Sequence, residues 1–246
     1  MSYAMNNTSL HPLIRVCGYA AALSLILIPV AVFVVRSGQW REGLMLYGAA
    51  GAVALFLLGV FAVLALLPTF QEQRAAIARR ALWCVIPAFL LISSFIGGIR
   101  VPPIHDISNN LENVPQFVNA AKQRGADSNS IAVNPDALEM QANHYPNLSP
   151  IRSSAPSAEV FAIVLKSMQD SGLEVYYQNP AQGVIEAVAT TPLMQFKDDV
   201  IARVRSDGDE TWVDLRSVSR VGRSDFGANY KRLEMLTERI NTALSP

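Results

Sequence analysis

The stretch Phe196-Lys-Asp-Asp-Val-Ile-Ala-Arg-Val-Arg205-Ser-Asp-Gly-Asp-Glu-Thr211-Trp-Val-Asp-Leu-Arg-Ser-Val-Ser-Arg220 decides the fold of the C-terminal half. Two runs of alternating apolar and polar residues, Phe196–Arg205 and Thr211–Arg220, flank Asp207-Gly208-Asp209, the chemistry of a tight hairpin. In the first run Val200, Ala202 and Val204 oppose Asp199, Arg203 and Arg205; in the second Val213 and Leu215 oppose Asp214 and Arg216. Side chains alternate along a strand, so one face is apolar and the other carries charge. Opposite charges across strands support pairing, and the charged face reads as a solvated, salt-bridged surface.

Outward from this hairpin, Leu173–Tyr177 and Val184–Thr190 read as two more strands, joined across Asn179-Pro180 and Gly183. Ahead of them Ala158, Phe161, Ala162, Leu165 and Met168 recur at helical spacing, with Ser157 as N-cap and Gly172 as stop. Behind them Phe226–Leu244 is amphipathic, with Phe226, Tyr230, Leu233, Leu236 and Ile240 on one side. Helix, four strands, helix predicts an α+β core over residues 157–246: a four-stranded antiparallel sheet with both helices on its apolar face. Residues 101–156, rich in Pro, Asn and Ser, read as a lead-in with a short helix within Val114–Arg124 and a long loop, Asp127–Pro156.

The front of the chain has another solvent. Hydrophobic residues make up 51% of the 246 and charged residues 16%, below the quarter or so usual for a soluble domain. Residues 1–100 hold seven Arg and two Glu; residues 101–246 hold 13 basic and 18 acidic residues. A front at +5 cancels a back at −5, which excludes a uniform globular domain, a disordered chain and, given the acidic back half, a nucleic-acid partner. Three charge-free apolar runs, 16–35, 43–67 and 81–99, each match the roughly 20 residues that cross a bilayer as a helix, so residues 1–100 read as a transmembrane region. Ala20–Ala22 stands at the start of the first apolar core, where a signal-peptide cleavage site does not belong, so all three helices read as retained. Arg15, Arg74, Arg79 and Arg80 on one side outweigh Arg36, Arg41 and Arg100 on the other, which predicts a multi-pass inner-membrane protein with residues 101–246 in the periplasm or otherwise outside the cytoplasm. Trp40 and Trp83 suit the interface, and Gly48 with Ala52 suits helix packing within the bundle. With no charge inside a span a pump is disfavoured, and Cys17 and Cys84 read as packing residues.

The densest polar sequence is Asp214-Leu-Arg-Ser-Val-Ser-Arg-Val-Gly-Arg-Ser-Asp-Phe-Gly-Ala-Asn229, running from a strand end through a turn into a helix start. It resembles the signature of the family called domain of unknown function 1499 (DUF1499). Pro103-Ile104-His105-Asp106-Ile107-Ser108, Gly183-Val-Ile-Glu186 and Phe196-Lys-Asp-Asp199-Val resemble it further, so the likeness spans most of residues 101–246. The resemblance implies an exported or membrane-tethered domain and brings no catalytic residue with it. His105, Asp106, Ser217, Ser219, Gly222, Asp225 and Gly227 are motif residues without an assigned role.

Arg216 and Arg220 fall on one strand face and Arg223 follows in the turn, beside a helix start carrying Ser224 and Asn229. Guanidinium groups at a helix N-terminus suit an anion. The structural alternative has Asp225 capping the helix, Gly222 and Gly227 making the turn, and the arginines paired with Asp214, Asp199 or Glu186. His105 beside Asp106 invites a hydrolase reading, but no nucleophile elbow, Gly-rich phosphate loop or paired Cys/His spacing accompanies it, and no metal or cofactor is implied. His11 and His144 read as tail and surface residues. The sequence thus favours a binding or scaffolding module over a membrane-anchored hydrolase, with membrane lipid and an anionic ligand or envelope protein as partners.

Overall fold

A computed structural model describes residues 9–245. The chain divides into two compact units, Met1–Ile96 and Gly97–Pro246.

Helices α1 (Pro12–Arg36) and α2 (Trp40–Leu66), a 3-10 turn at Pro68–Gln73 and helix α3 (Arg74–Ile99) carry the first unit. All three helices are long and apolar enough to cross a membrane. Pro12 at the first helical position has no N–H to lose, and His11 Nδ1 accepts from Leu13 N at 3.2 Å. Ile14, Cys17, Ala21, Ala54, Leu57, Phe61, Ile77 and Cys84 form its interior. Gly43 and Gly51 are packing glycines of α2, since a Cβ would lie 2.5 Å from Val35 Cγ2 at the first and 2.6 Å from Leu91 Cβ at the second. Gly48, expected at a helix contact, has nothing within 4 Å, and its companion Ala52 is exposed. Helix α3 also starts seven residues before the apolar run 81–99, so Arg79 and Arg80 are helical.

The second unit is α+β, and its sheet has six strands where the sequence predicts four. In chain order the elements are β1 (Asp106–Ser108), α4 (Ala120–Gln123), α5 (Pro135–His144), β2 (Ile151–Ser153), α6 (Ser157–Asp170), β3 (Glu174–Asn179), β4 (Val184–Thr190), β5 (Lys197–Asp207), β6 (Glu210–Ser219) and α7 (Ala228–Leu244). All pairings are antiparallel, in the order β1-β6-β5-β4-β3, with β2 also beside β6. The two added strands have three residues each, too short to show a period. β1 pairs with Arg216–Val218 and β2 with Thr211–Val213, so one β6 edge serves both.

The predicted loop 127–156 holds α5 and β2. α5 starts on Asn134, whose side chain accepts from Asp136 N at 3.0 Å, with Pro135 behind it. Buried Gln141 of α5 bonds the main chain of Ser108 through both N–H and carbonyl, closing that stretch of sheet edge with a side chain. The expected helix in Val114–Arg124 shrinks to α4, because the Pro115 carbonyl and the Val118 and Asn119 N–H groups bond to side chains of the sheet instead.

The apolar face is as the alternation predicts. Ile185, Ala187, Val200, Ala202, Val213 and Leu215 pack with Val160, Val164 and Met168 of α6 and Leu233, Leu236 and Ile240 of α7. α6 starts at Ser157, with Pro156 in the N-cap place given to Ser157, and Gly172 ends it at φ 76°.

Candidate functional site

Register assembles the opposite face. Glu186, Ile201 and Arg216 lie side by side across β4, β5 and β6, as do Val188, Asp199 and Val218, and Val184, Arg203 and Asp214. Read as solvated, this face is in fact interior: Glu186, Asp199, Asp214 and Arg216 are each 0% exposed. The strap of residues 109–134 covers it, and because buried charge must be paired and hydrogen-bonded, the strap is built of partners.

Glu186 accepts from Val118 N and Asn119 N. Arg216 forks onto Asp106 at 2.9 and 2.7 Å, donates to the carbonyls of Pro115 and Ile131, and lies 5.4 Å from the Phe117 ring centre. Asp199 takes Arg220 at 3.0 and 2.7 Å and Arg124 of the strap at 2.6 Å. Asp214 takes Arg203, Arg205 and Asn110. The guanidinium of Arg124 is pulled down from its usual pKa by burial and by Arg220, while Asp199 opposes the shift. Tyr176 of β3 is half-buried, with its hydroxyl oxygen buried among these charges. Burial, then the carboxylates of Glu186 and Asp199, push its phenol well up, and beside Glu186 the hydroxyl makes no well-formed hydrogen bond among the described residues.

The rest of the motif stretch docks α7. Ser217 Oγ donates to Asn229 Oδ1 at 2.6 Å, and Asn229 Nδ2 donates to Ser219 Oγ and the His105 carbonyl. Arg232 joins them and reaches Asp198 at 2.7 Å. Asp225 caps the helix start, accepting from Gly227 N at 2.8 Å and Asn229 N at 2.7 Å. Burial raises the Asp225 pKa, those backbone bonds lower it, and Asp198 raises it again. Gly222 and Gly227 turn the chain at φ 87° and 80°, Ser224 Oγ accepts from Phe226 N, and Phe226 itself sits at φ 53°.

The residues expected to hold an anion therefore separate. Arg216 and Arg220 are spent on carboxylates, Asn229 is buried in the α7 cluster, Ser224 bonds its own turn, and Arg223 alone of the three arginines is exposed. His105 and Asp106 separate as well: both Asp106 oxygens face Arg216, whereas His105 Nδ1 lies 3.4 Å from the Arg223 carbonyl oxygen. The hydrogen bonds of Asp106 thus go to Arg216 and not to the imidazole. Among the described residues no group of His, Cys, Asp and Glu is arranged to hold a metal ion.

An open groove of about 550 Å³ lies elsewhere on the same face, where β2, β6 and the start of the strap meet. Asn110, Glu112, Asn113, Arg152, Arg205 and Trp212 line it. Cross-strand register sets Arg152 and Arg205 on either side of Trp212, their guanidinium carbons 4.0 and 4.8 Å from its ring centre. Arg205 bonds Asp214 at 2.9 Å. Arg152, which is exposed, has no hydrogen bond or ion pair among the described residues, and the Trp212 indole N–H is buried without an acceptor. The sequence hid this site because Arg152 sits in a predicted loop and Trp212 reads as one more strand aromatic.

The sequence profile of the family described as "Protein of unknown function (DUF1499)" matches residues 106–240. No curated protein matches the chain. Among solved structures, TTHA0849 from Thermus thermophilus is similar at 15% identity and a TM-score of 0.25, over 39% of this chain and 97% of that one.

Proposed function

We propose, for a chain that belongs to the DUF1499 family, that its second unit is a binding module held outside the cytoplasm by three inner-membrane helices, and that it recognises an anionic group in the Arg152–Trp212 groove. The single observation that carries this reading is an arginine at an open groove whose side chain has no hydrogen-bond or ion-pair partner among the described residues, beside an Arg205 that is held by Asp214. Arg152 offers a five-donor fork seated on the Trp212 ring, so the complement is a carboxylate or phosphate oxygen. Glu112 on the rim opposes dense negative charge and favours an isolated anionic group on an otherwise neutral molecule, as in an acidic saccharide. Placement outside the cytoplasm is supported by the arginine excess on the N-terminal side of the helices.

The test is titration of the detergent-solubilised full-length protein with a uronic-acid trisaccharide, a neutral trisaccharide and inorganic phosphate. An acidic probe should bind and the neutral one should not. Arg152→Ala should weaken that binding roughly tenfold or more, as loss of a charged hydrogen bond requires, with an unchanged melting temperature because Arg152 supports no internal contact but a ring. Failure of every acidic probe, or unchanged binding by the variant, would overturn the reading.

A further inference from the structure

We propose that the first unit holds an anionic phospholipid by its phosphate at Arg80, in a notch made by Gly18. The inference rests on the three helices crossing a membrane and on nothing proposed for the second unit.

Arg80 stands in an unusual place. It follows Ile77 by three residues and precedes Cys84 by four, so it lies on the helical stripe whose other members are 1% and 0% exposed in the core. Across from it is Gly18 of α1. A Cβ at Gly18 would come within 2.7 Å of Arg80 Cδ and Nε, so the missing side chain is what admits the arginine between the helices. Leu or Ala would fill such a stripe in a bundle that needed only packing.

The guanidinium is half-buried and incompletely satisfied. Nη1 donates to the Ala76 carbonyl at 3.0 Å, and among the described residues no carboxylate approaches and no other N–H of the group is bonded. Residues 1–100 contain only Glu42 and Glu72 as acids, and neither is an ion-pair partner of Arg80. A cation fixed where a helix enters hydrocarbon needs an anion, and the solvent there supplies one at that depth, the lipid phosphate. Its tetrahedral oxygens suit a planar fork with free N–H groups.

Neighbouring groups shape the same end. Arg15 precedes Gly18 by three residues on α1, and Arg79 precedes Arg80. His11 N donates to Gln73 Oε1 at 3.0 Å, the His11 and Phe70 rings meet edge-on at 5.1 Å, and Arg74 Nε donates to Ala65 O at 2.8 Å. These contacts gather the start of α1, the end of α2 and the start of α3 into one basic rim, with Arg80 as its innermost member.

The experiment uses the full chain in phosphatidylcholine nanodiscs with or without phosphatidylglycerol, reading retained lipid by native mass spectrometry. Both lipids carry the phosphodiester, but the choline cation of phosphatidylcholine offsets its own phosphate, so wild type should retain phosphatidylglycerol over phosphatidylcholine by roughly tenfold, the order of one charged contact. Arg80→Gln should erase the preference, whereas Arg79→Gln, on the exposed rim, should keep it. Gly18→Ala tests the notch with Arg80 intact: alanine suits the helix, and its methyl should expel the guanidinium and abolish the preference. Equal retention of the two lipids by wild type, or a preference that survives both Arg80→Gln and Gly18→Ala, would overturn the proposal. Displacement of the bound lipid by millimolar inorganic phosphate would assign the site to free phosphate and overturn the lipid assignment.

Discussion

The two faces of the six-stranded sheet are both interior, yet they are built on opposite principles. Under α6 and α7 the contacts are aliphatic and non-directional, and Leu236 or Ile240 needs only volume and shape. Under the strap Ile201 and Val218 are buried too, but they share the face with groups whose contacts are directional: Glu186, Asp199, Asp214 and Arg216 each require named partners. A charged sheet face is therefore not evidence of a surface. Irregular chain covers it where that chain supplies backbone N–H, carbonyl and guanidinium groups in register with the charges. This also accounts for the composition of residues 101–134, since a strap that must hydrogen-bond downward has little use for a helix or an apolar stripe.

The comparison breaks most sharply at Arg216. Arg216→Ala leaves Asp106 without its cation and should cost about 3–5 kcal/mol, read as loss of amide exchange protection in β5 and β6 of the full-length protein. The double variant Asp106→Leu with Arg216→Met should recover most of it, because a matched apolar pair removes the unpaired charge. If Arg216→Ala alone is silent, the strap face is not an interior.

On the aliphatic face Leu236→Ala should cost about 3 kcal/mol by the same readout, through a cavity and lost transfer energy, with no partner substitution that rescues it by charge. Rescue by pairing on one face and not on the other is the expected distinction.

The smallest effect is at Tyr176, where the charged face carries a flaw. Tyr176→Phe removes a buried hydroxyl that lies beside Glu186 without a well-formed hydrogen bond, and should stabilise by about 1 kcal/mol. Its raised phenol pKa also fixes the sign of a pH effect. Above 10.0, the ordinary value, the unfolded chain releases this proton before the folded one, so stability present below that pH is lost as pH rises. The Phe variant should lose stability less steeply in alkaline urea titrations, and parallel curves would show that Tyr176 is not buried among charges.

Much of this was legible and some was not, for reasons visible in single residues. β4 has the predicted bounds Val184–Thr190, and Gly172, Gly222 and Gly227 stand at the turns expected of them, because alternation and positive φ leave local signatures. β1 and β2 leave none, as three residues cannot display a period, and α5 carries the helix-start sequence Asn134-Pro135-Asp136 without an apolar stripe to follow it. Arg216, Arg220 and Arg223 looked alike as a motif; their fates differ because Asp106 and Asp199 take the first two.

By itself the sequence determined three helices long and apolar enough to cross a membrane, the α+β class of the second unit and the face of each strand that is apolar, since each follows from composition or period over a few neighbouring residues. Only the tertiary structure decided that the charged face is covered, which arginines have partners, and that Arg80 meets Gly18. Those outcomes depend on groups as distant in the chain as Asp106 and Arg216, and side-chain pairing across such separations has no local pattern to read.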